Sequence, residues 1–468
     1  MAEPQSPLSW SYDGVVLIGW GREAQGASRF LDAFYPDCPV LVLYEGEGAP
    51  DLPTGITAQS QADFLSQGLA LDMAAPLVLR SPGIAPGNRV IVKLESLGAD
   101  ITTPTGYWLS LQGRDRLITV TGTKGKSTTV SLITHILRAG GINAVSVGNI
   151  GAPPLDDRPF EVDVVVAELS SYQLHDAMGA GRVHVITNLY REHTDWHGGH
   201  EAYAGAKMAP AGRFPDLTVL SQPEILAALP AQHTGARLAF EDYVPADLDK
   251  GEIYLPHQAA LALTPLNARL AGSIMTQSVR MACAAILAGE HLTPGALYQA
   301  LITGLPSWTP LPHRLETIGE IGKVAWIDDS LATVPEAVMS AIQVILHRPL
   351  HLIMGGRHRG QDWTQFCEHL QTLHNVRLYL FGTIAEEVAE GLNGVGIEEG
   401  FHTFESFEAA IQAAHLASQT EGGAVVFSPG AASEGVHANY EHRSGIFRLE
   451  WARALAEHMT AHSKIADL

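Results

Sequence analysis

The residues best suited to chemistry in this chain are Thr121-Gly122-Thr123-Lys124-Gly125-Lys126-Ser127-Thr128-Thr129. The glycines Gly122 and Gly125 let a backbone turn tightly and aim its N–H groups at one point. Lys126 adds a long cation that can reach outer phosphates, and Ser127 or Thr128 adds a hydroxyl for Mg²⁺. The elements that must position this loop are also in the sequence. Leu117-Ile118-Thr119-Val120 is an apolar run that reads as a buried strand, and Val130 to Leu137 repeats its apolar residues with helical spacing. Strand, glycine loop and helix N-terminus together make a phosphate cradle, because free N–H groups and the positive end of the helix dipole face the anion. The spacing departs from the standard phosphate-loop pattern, which wants a glycine where Val120 stands. A glycine-rich turn with a chance Lys-Ser is the plainer reading, and the order of strand, loop and helix weighs against it.

Further clusters follow other expected strands. Glu168-Leu169-Ser170-Ser171-Tyr172-Gln173 ends the strand 163–168, where a carboxylate can hold Mg²⁺ directly or through water, or merely cap a helix. Asn188 to His200 packs His193, Asp195, His197 and His200 into a short stretch. The i, i+4 pair His193 and His197 suggests zinc, but the glutamate of an HExxH site is missing. A loop beside a nucleotide explains it better, with His193 as metal ligand or nucleotide contact and His197 and His200 as surface histidines. Lys207 taken alone reads as a solvated lysine. His313-Arg314 and Asp328-Asp329-Ser330-Leu331-Ala332-Thr333 offer an arginine and carboxylates from a separate domain. They suit closure over a nucleotide, the arginine neutralising developing phosphoryl charge. Gly355 to Arg359 and Ser428 to Ser433 can bind a small anionic substrate, or form surface ion pairs and turns.

Three α/β segments carry these groups. Val15 to Ile18, Pro39 to Glu45 and Pro76 to Arg80 read as strands of a Rossmann-like domain over residues 1–108. The glycine turn after Ile18 is only a weak dinucleotide signal. Strands at 116–121, 144–148, 163–168 and 184–189 alternate with helices in a doubly wound parallel pattern, which places a central phosphate-loop domain at 109–308. Pro306-Ser307-Trp308-Thr309-Pro310 reads as a linker. A third α/β domain, 309–468, has strands at 324–328, 350–355, 376–381 and 424–427. In such sheets ligands collect beyond the carboxyl ends of the strands, where most of the polar clusters fall.

Composition bounds the partners. The chain has 468 residues with 46% hydrophobic and 17% charged content, which is ordinary for a globular protein. Its net charge of -21 repels nucleic acid and anionic membranes, so neither is expected as a partner. Cys38, Cys283 and Cys367 are far apart and form no CxxC pair, in keeping with a reducing compartment. The N-terminus lacks a basic start and an apolar core, and no apolar run approaches the ~20 residues that span a bilayer. A cytoplasmic protein is the expectation.

The whole pattern resembles the Mur ligase family, and within it the MurD branch. Ser81-Pro82-Gly83-Ile84 resembles the family's SPGI segment near the UDP-sugar, and Gly122 to Thr128 its GTNGKST loop. Gly148-Asn149-Ile150-Gly151 matches GNIG, and Glu168 to Leu174 matches ELSSFQL with Tyr172 for Phe. His193 falls on the metal-site histidine and Lys207 on the lysine that is carbamylated. His313-Arg314 matches the HR before the third domain. Asp329-Ser330 and Thr333 match NDSKAT, Ser428 to Ser433 resembles SPACAS, and Asn439-Tyr440 with Arg443 resembles NFxxRG. The resemblance runs in order over nearly the whole chain. It implies a monomeric, ATP- and Mg²⁺-dependent ligase that joins glutamate to UDP-MurNAc-L-alanine through an acyl phosphate. It places Gly122, Thr123, Lys124, Gly125, Lys126, Ser127, Thr128, Asn149, Arg314 and Asp329 at the nucleotide. Ser127, Glu168, His193 and carbamylated Lys207 would hold metal. CO₂ adds only to a neutral amine, and the carbamate is an oxygen ligand suited to Mg²⁺. Ser81, Gly83, Ser170, Thr333, Arg359, Ser433 and Tyr440 would face substrates.

The departures from the family crowd the pocket for the incoming amino acid. Leu331 stands for the lysine of NDSKAT, Arg359 for a glycine-loop lysine, Gly430-Ala431-Ala432 for the residues around the cysteine of SPACAS, and Glu434 for an apolar residue. An adenine-facing asparagine is replaced by Gln277 or Ser278. Arginine presents a planar fork where lysine is a point charge. The changes therefore favour L-glutamate over D-glutamate, as in one branch of the family. A folylpolyglutamate-type ligase, a zinc hydrolase on His193, His197 and His200, and a non-catalytic nucleotide-binding module are the rival readings.

Overall fold

The computed structural model describes residues 12–466 except 47, 149–154, 156–160, 191–193, 271–272, 311, 346–347, 359–360 and 434–436. Asn149, His193, Arg359 and Glu434 thus lie outside the described residues. The chain forms two compact units, residues 1–308 and 309–468.

The first unit is built on two parallel sheets. One contains β1 (Val15–Ile18), β2 (Val40–Tyr44), β3 (Ile56–Ser60), β4 (Leu77–Arg80) and β5 (Asp100–Thr102), in the order β3-β2-β1-β4-β5. The other contains β6 (Leu117–Thr121), β7 (Ala144–Gly148), β8 (Val164–Glu168), β9 (Val183–Ile186), β10 (Thr218–Ser221) and β11 (Arg237–Ala239), in the order β11-β10-β9-β6-β8-β7. Continuous apolar runs form these strands because helices cover both faces: every residue of β1, β6 and β8 is buried. Strand order reverses beside β1 and again beside β6. Each reversal opens a crevice at the carboxyl ends of the central strands. Short strands β12 (Ala246–Asp247), β13 (Glu252–Ile253) and β14 (Leu261–Ala262) form an antiparallel flap. Strand β9 stops at Ile186, short of the expected end at Leu189. Thr187 still bonds Thr121, but Asn188 turns to meet the phosphate loop.

Two features tie these sheets together. Val15, Leu17, Leu77 and Leu79 share one apolar cluster with Tyr107, Trp108, Leu117, Val165 and Ala167. Arg80, the last residue of β4, is fully buried. It donates to Asp176 Oδ2 (2.6 Å), to the carbonyls of Pro82 (3.1 Å) and Ile84 (3.0 Å), and to that of Tyr172 (2.8 Å). One guanidinium therefore fixes the Ser81–Ile84 turn of the first sheet against the segment that follows Glu168 in the second.

The second unit holds β15 (Glu316–Ile321), β16 (Val324–Asp328), β17 (Leu350–Gly356), β18 (Val376–Gly382), β19 (Phe401–Phe404) and β20 (Gly423–Phe427), in the order β15-β16-β20-β17-β18-β19. All pairings are parallel except that of β15 with β16. Trp326, Phe381, Phe407, Phe427 and Phe447 fill one face, and Val338, Ile342, Phe366, Leu380 and Val388 the other.

Removing the Arg80 guanidinium leaves Asp176 and three carbonyls without their partner. Arg80→Met is expected to destabilise the first unit by roughly 3 kcal/mol, the lower end for a broken buried ion pair. Urea unfolding followed by a probe in residues 1–308 reads this directly, and a loss under about 1 kcal/mol would contradict the pinning role.

Candidate functional site

Beyond β6 the backbone leaves the sheet at Gly122, whose φ of +141° is open to glycine alone. A Cβ there would lie 1.9 Å from Thr187 Oγ1. The loop is held from the β9 side. Asn188 accepts from Thr123 N through its carbonyl (3.0 Å) and from Lys124 N through Oδ1 (2.8 Å), while Thr187 Oγ1 donates to the Lys124 carbonyl (2.6 Å). Tyr203 OH meets Thr123 Oγ1 at 2.9 Å. The helix Lys126–Ala139 then starts at Gly125, with no side-chain cap and no acidic residue in its first turn. Its leading N–H groups therefore form the kind of end that receives an anion. Lys126 Nζ lies over the loop, donating to the carbonyls of Gly122 (3.0 Å) and Thr123 (2.9 Å). Ser127 is buried beneath it and Thr128 is partly exposed.

Glu168 ends β8 beside this loop, in register with Val120 of β6, and is only 1% exposed. Lys207 is not the solvated lysine that its local sequence suggests. It lies in the helix His200–Arg213, is 2% exposed, donates from Nζ to Thr121 Oγ1 (3.3 Å), and sits 4.8 Å from the centre of the Tyr203 ring. Tertiary packing places it against the strand that leads into the phosphate loop. His184, in the middle of apolar β9, is fully buried behind it. Its Nε2 is 3.0 Å from the Lys207 carbonyl and its Nδ1 is 2.8 Å from Thr119 Oγ1. A carbonyl only accepts, so Nε2 carries the proton. Burial pushes the imidazole down to about 4; the bond to the Lys207 backbone opposes this and the Lys207 charge adds to it. His184 is therefore neutral at pH 7, and Nδ1 accepts from the Thr119 hydroxyl.

The next loop meets the first sheet. Trp196 Nε1 donates to the Gly83 carbonyl (3.0 Å) and its ring packs on Tyr172 (centroids 4.5 Å). His197 is not a scattered surface residue: it is partly buried, stacks on Tyr172 and bonds Ser171 Oγ at 2.9 Å. Ser170 caps the short helix Ser171–Leu174 in a reciprocal box with Gln173. Gln173 also donates to Glu23 Oε1 (2.8 Å), linking this segment to the first helix of the chain. Ser81, Gly83 and Ser170 are thus close to the Glu168 end of the second sheet. Of the two candidates for an adenine contact, Ser278 is buried, while Gln277 is partly exposed and accepts from Arg280.

In the second unit the carboxyl ends of β16, β17 and β20 converge on Arg443, which is fully buried. It donates to the carbonyls of Gly355 (3.1 Å), Ala431 (3.1 Å) and Ser330 (3.3 Å). Ser433 is buried, Thr333 is partly buried, and the Tyr440 ring meets His313 edge-on at 5.7 Å. Arg314 is exposed between His313 (φ +65°) and Leu315 (φ +47°), two non-glycine residues in the left-handed region. Such residues cost of order 1–3 kcal/mol each and persist where neighbours hold them. Here Glu316 accepts from His313 N (2.9 Å) and Asp329 Oδ1 from Leu315 N (3.2 Å). Ser428 Oγ donates to Asp329 Oδ2 (2.6 Å). Burial pushes the Asp329 carboxyl up to about 7, against the pull of Ser428, Leu315 and the Arg314 charge.

Among the described residues, His313, Glu316 and Asp328 form the cluster tight enough for a metal, their ligand atoms within 4.8 Å of one another. Arg448 already occupies it, donating to Asp328 Oδ2 (2.8 Å) and Glu316 Oε2 (2.5 Å), so its guanidinium stands where a cation would and offsets part of the carboxylate charge. The oxygen donors Ser127 and Glu168, both buried beside a phosphate cradle, suit Mg²⁺ instead. Sequence reasoning missed Arg80, His184, Thr187, Asn188 and Tyr203. A histidine inside the apolar run of β9 and a Thr-Asn pair at its end were the available signals.

Asp329 gives the second unit an unusual pH dependence. Its carboxyl rises from 3.8 to about 7 on folding, so the folded state binds the proton more tightly. The Asp329 contribution to stability is therefore greatest below pH 4, falls as pH rises, and is fully lost above about pH 7. Asp329→Asn should raise the denaturation midpoint of the second unit at pH 8 and leave it little changed at pH 4. Parallel pH profiles for variant and parent would refute this.

Comparison with known proteins agrees with this geometry. The Mur ligase middle domain matches residues 120–218 and the Mur ligase glutamate ligase domain matches residues 313–431. A UDP-N-acetylmuramoyl-L-alanine–L-glutamate ligase of Xanthomonas campestris pv. campestris (strain 8004) is 31% identical over 451 residues, 92% of this chain and 94% of its own. A ligase of the same name from a Micromonospora species is 34% identical over 455 residues, 95% of this chain and 97% of its own. The solved structure of MurF from Thermotoga maritima in complex with ADP superposes with a TM-score of 0.56 over 94% of this chain and 96% of its own; at 15% identity that likeness is one of fold. Identity above 30% along nine-tenths of the length, with both domain models in place, makes this chain a member of the Mur ligase family and an ATP-dependent ligase.

Proposed function

We propose that the chain adds L-glutamate to UDP-N-acetylmuramoyl-L-alanine at the expense of ATP, in peptidoglycan synthesis. The observation that carries this reading is the end-to-end match to ligases of that name, which covers 94% and 97% of their lengths. The departures at Leu331 and at Gly430 to Ala432 support it. They cluster at the carboxyl ends of β16 and β20, where an incoming amino acid would lie. D-glutamate is the competing substrate.

The substrate carboxylate attacks the γ-phosphorus of ATP, ADP leaves, and an acyl phosphate forms. The glutamate amine then attacks the acyl carbon, loses a proton and expels phosphate. Phosphoryl transfer asks for positioning and charge neutralisation rather than covalent help. The loop Gly122 to Thr128 cradles the phosphates, and Lys126 swings from the carbonyls of Gly122 and Thr123 to the outer phosphates. Ser127 and Glu168 would hold Mg²⁺, with His193 and a carbamate on Lys207 as a second set. Bound Mg²⁺ supplies positive charge to the phosphate oxygens. Asn149, Arg314 and Asp329 are assigned to the nucleotide. Ser81, Gly83 and Ser170 are assigned to the UDP-sugar substrate, and Thr333, Arg359, Ser433 and Tyr440 to the amino acid.

On this reading the first unit comprises two domains, 1–108 and 109–308, each around its own sheet, and 309–468 is the third. No described helix is long and apolar enough to cross a membrane. A cytoplasmic monomer fits a ligase whose substrates are all small and anionic.

Phosphate release should require ATP, Mg²⁺, UDP-N-acetylmuramoyl-L-alanine and L-glutamate together, with D-glutamate giving little or no turnover. The reverse preference would transfer the assignment to the D-isomer, and silence with both would remove the acceptor from consideration. Lys126→Ala should lower turnover by at least about 100-fold, the loss expected for one charge-stabilising donor. Near-normal turnover would show that the loop is not the phosphate site.

A further inference from the structure

We infer that His184 is a positioning residue for Lys207: its Nε2–H, donated to the Lys207 carbonyl while Nδ1 rests on Thr119, fixes the lysine backbone so that the amine lies against Thr121. The inference rests on the proposed role of Lys207 and names a residue that no family motif above includes. Both anchors come from one strand. Thr119 and Thr121 are two apart in β6, so their side chains leave the same face of the sheet. Thr119 reaches the Lys207 backbone through His184, and Thr121 reaches the Lys207 amine directly at 3.3 Å.

The chemistry of the pocket leaves His184 one sensible use. A fully buried imidazole in the run Val183-His184-Val185-Ile186 costs more than an aliphatic residue unless both nitrogens are bonded, and both are. Its partner on one side is not another strand but the carbonyl of the one buried lysine in the helix His200–Arg213. That carbonyl also accepts in the helical ladder, so the histidine adds a sideways tether that helix geometry does not need. The tether sets both the depth and the rotation of the helix at residue 207. Residues behind a ligand commonly matter in this way because they fix the ligand's orientation.

Three variants test the tether in the full-length protein. His184→Leu removes the donor with little change in volume, His184→Gln keeps an amide N–H able to reach the Lys207 carbonyl, and Thr119→Val removes the hydroxyl that holds the other ring nitrogen. Each is measured for kcat and for KM toward ATP. Each folded sample is also equilibrated with ¹³C-bicarbonate to count lysine carbamate by NMR. The expected result is a fall in kcat of about 10-fold or more for His184→Leu. KM for ATP should be little changed, carbamate per folded molecule should fall in step, and His184→Gln should recover most of both. A merely structural role would lower the folded fraction but leave kcat and carbamate per folded molecule intact, and that result overturns the inference. So does a His184→Gln variant as impaired as His184→Leu. If His184→Leu does not fold, Thr119→Val decides by the same two readouts. Absence of carbamate in the parent would remove the carbamate from the reading of Lys207 and leave kcat to decide the tether. Absence of ligase turnover in the parent would remove the proposed reaction and leave carbamate occupancy to decide it.

Discussion

The parallel ladder that binds β6 to β8 and β9 is the constraint on which the candidate site depends. It sets Val120 against Glu168 and Thr121 against Ile186. The end of one strand becomes the phosphate loop, the end of the second supplies a buried carboxylate, and the end of the third supplies Thr187 and Asn188 to hold the loop. A one-residue slip would turn every side chain to the opposite face and separate these groups. The register is marked by buried polar partners such as Thr119 opposite His184, which a slip would separate. The chemistry is thus positioned by elements that take no part in it.

The same logic explains how a chain of net charge -21 can hold a polyanion. Bulk electrostatics oppose binding, and local backbone dipoles with a few buried cations reverse the sign. Arg80 and Arg443 illustrate a second use of scarce positive charge. Both are fully buried, and both spend their donors on main-chain carbonyls at strand ends. They act as staples for loops, each fixing several turns that would otherwise wander.

Secondary structure near the phosphate loop was legible because long apolar runs and a strong helical period coincide there. Val324 to Asp328 was legible for the same reason. Strands of two or three residues, such as β12 to β14, have no period to detect and were missed. So was β15, whose half-exposed residues hide among glycines. Lys207 shows the other limit. Nothing in Ala204-Gly205-Ala206-Lys207 marks burial, since the amine is enclosed by Thr121, brought near by the fold, and by Tyr203, one turn earlier in the helix. The resemblance to a family pointed to that lysine where local reasoning pointed away. His184 was visible as an oddity in an apolar strand, but its purpose needed the distance to Lys207.

The strand order of the second unit has a consequence for how the chain is made. Strand β20 is last in sequence, yet it inserts between β16 and β17 at the centre of the sheet. A ribosome releases β16, β17, β18 and β19 well before it. Until Phe427 emerges, β16 and β17 each present a bare backbone edge, and the Ser428 partner of Asp329 does not yet exist. The early hairpin of β15 with β16 protects one of the two edges of β16 with an entirely local contact, the kind that forms fastest. An antiparallel strand added to a parallel sheet thus leaves β16 with one bare edge in place of two while its central strand is still being synthesised.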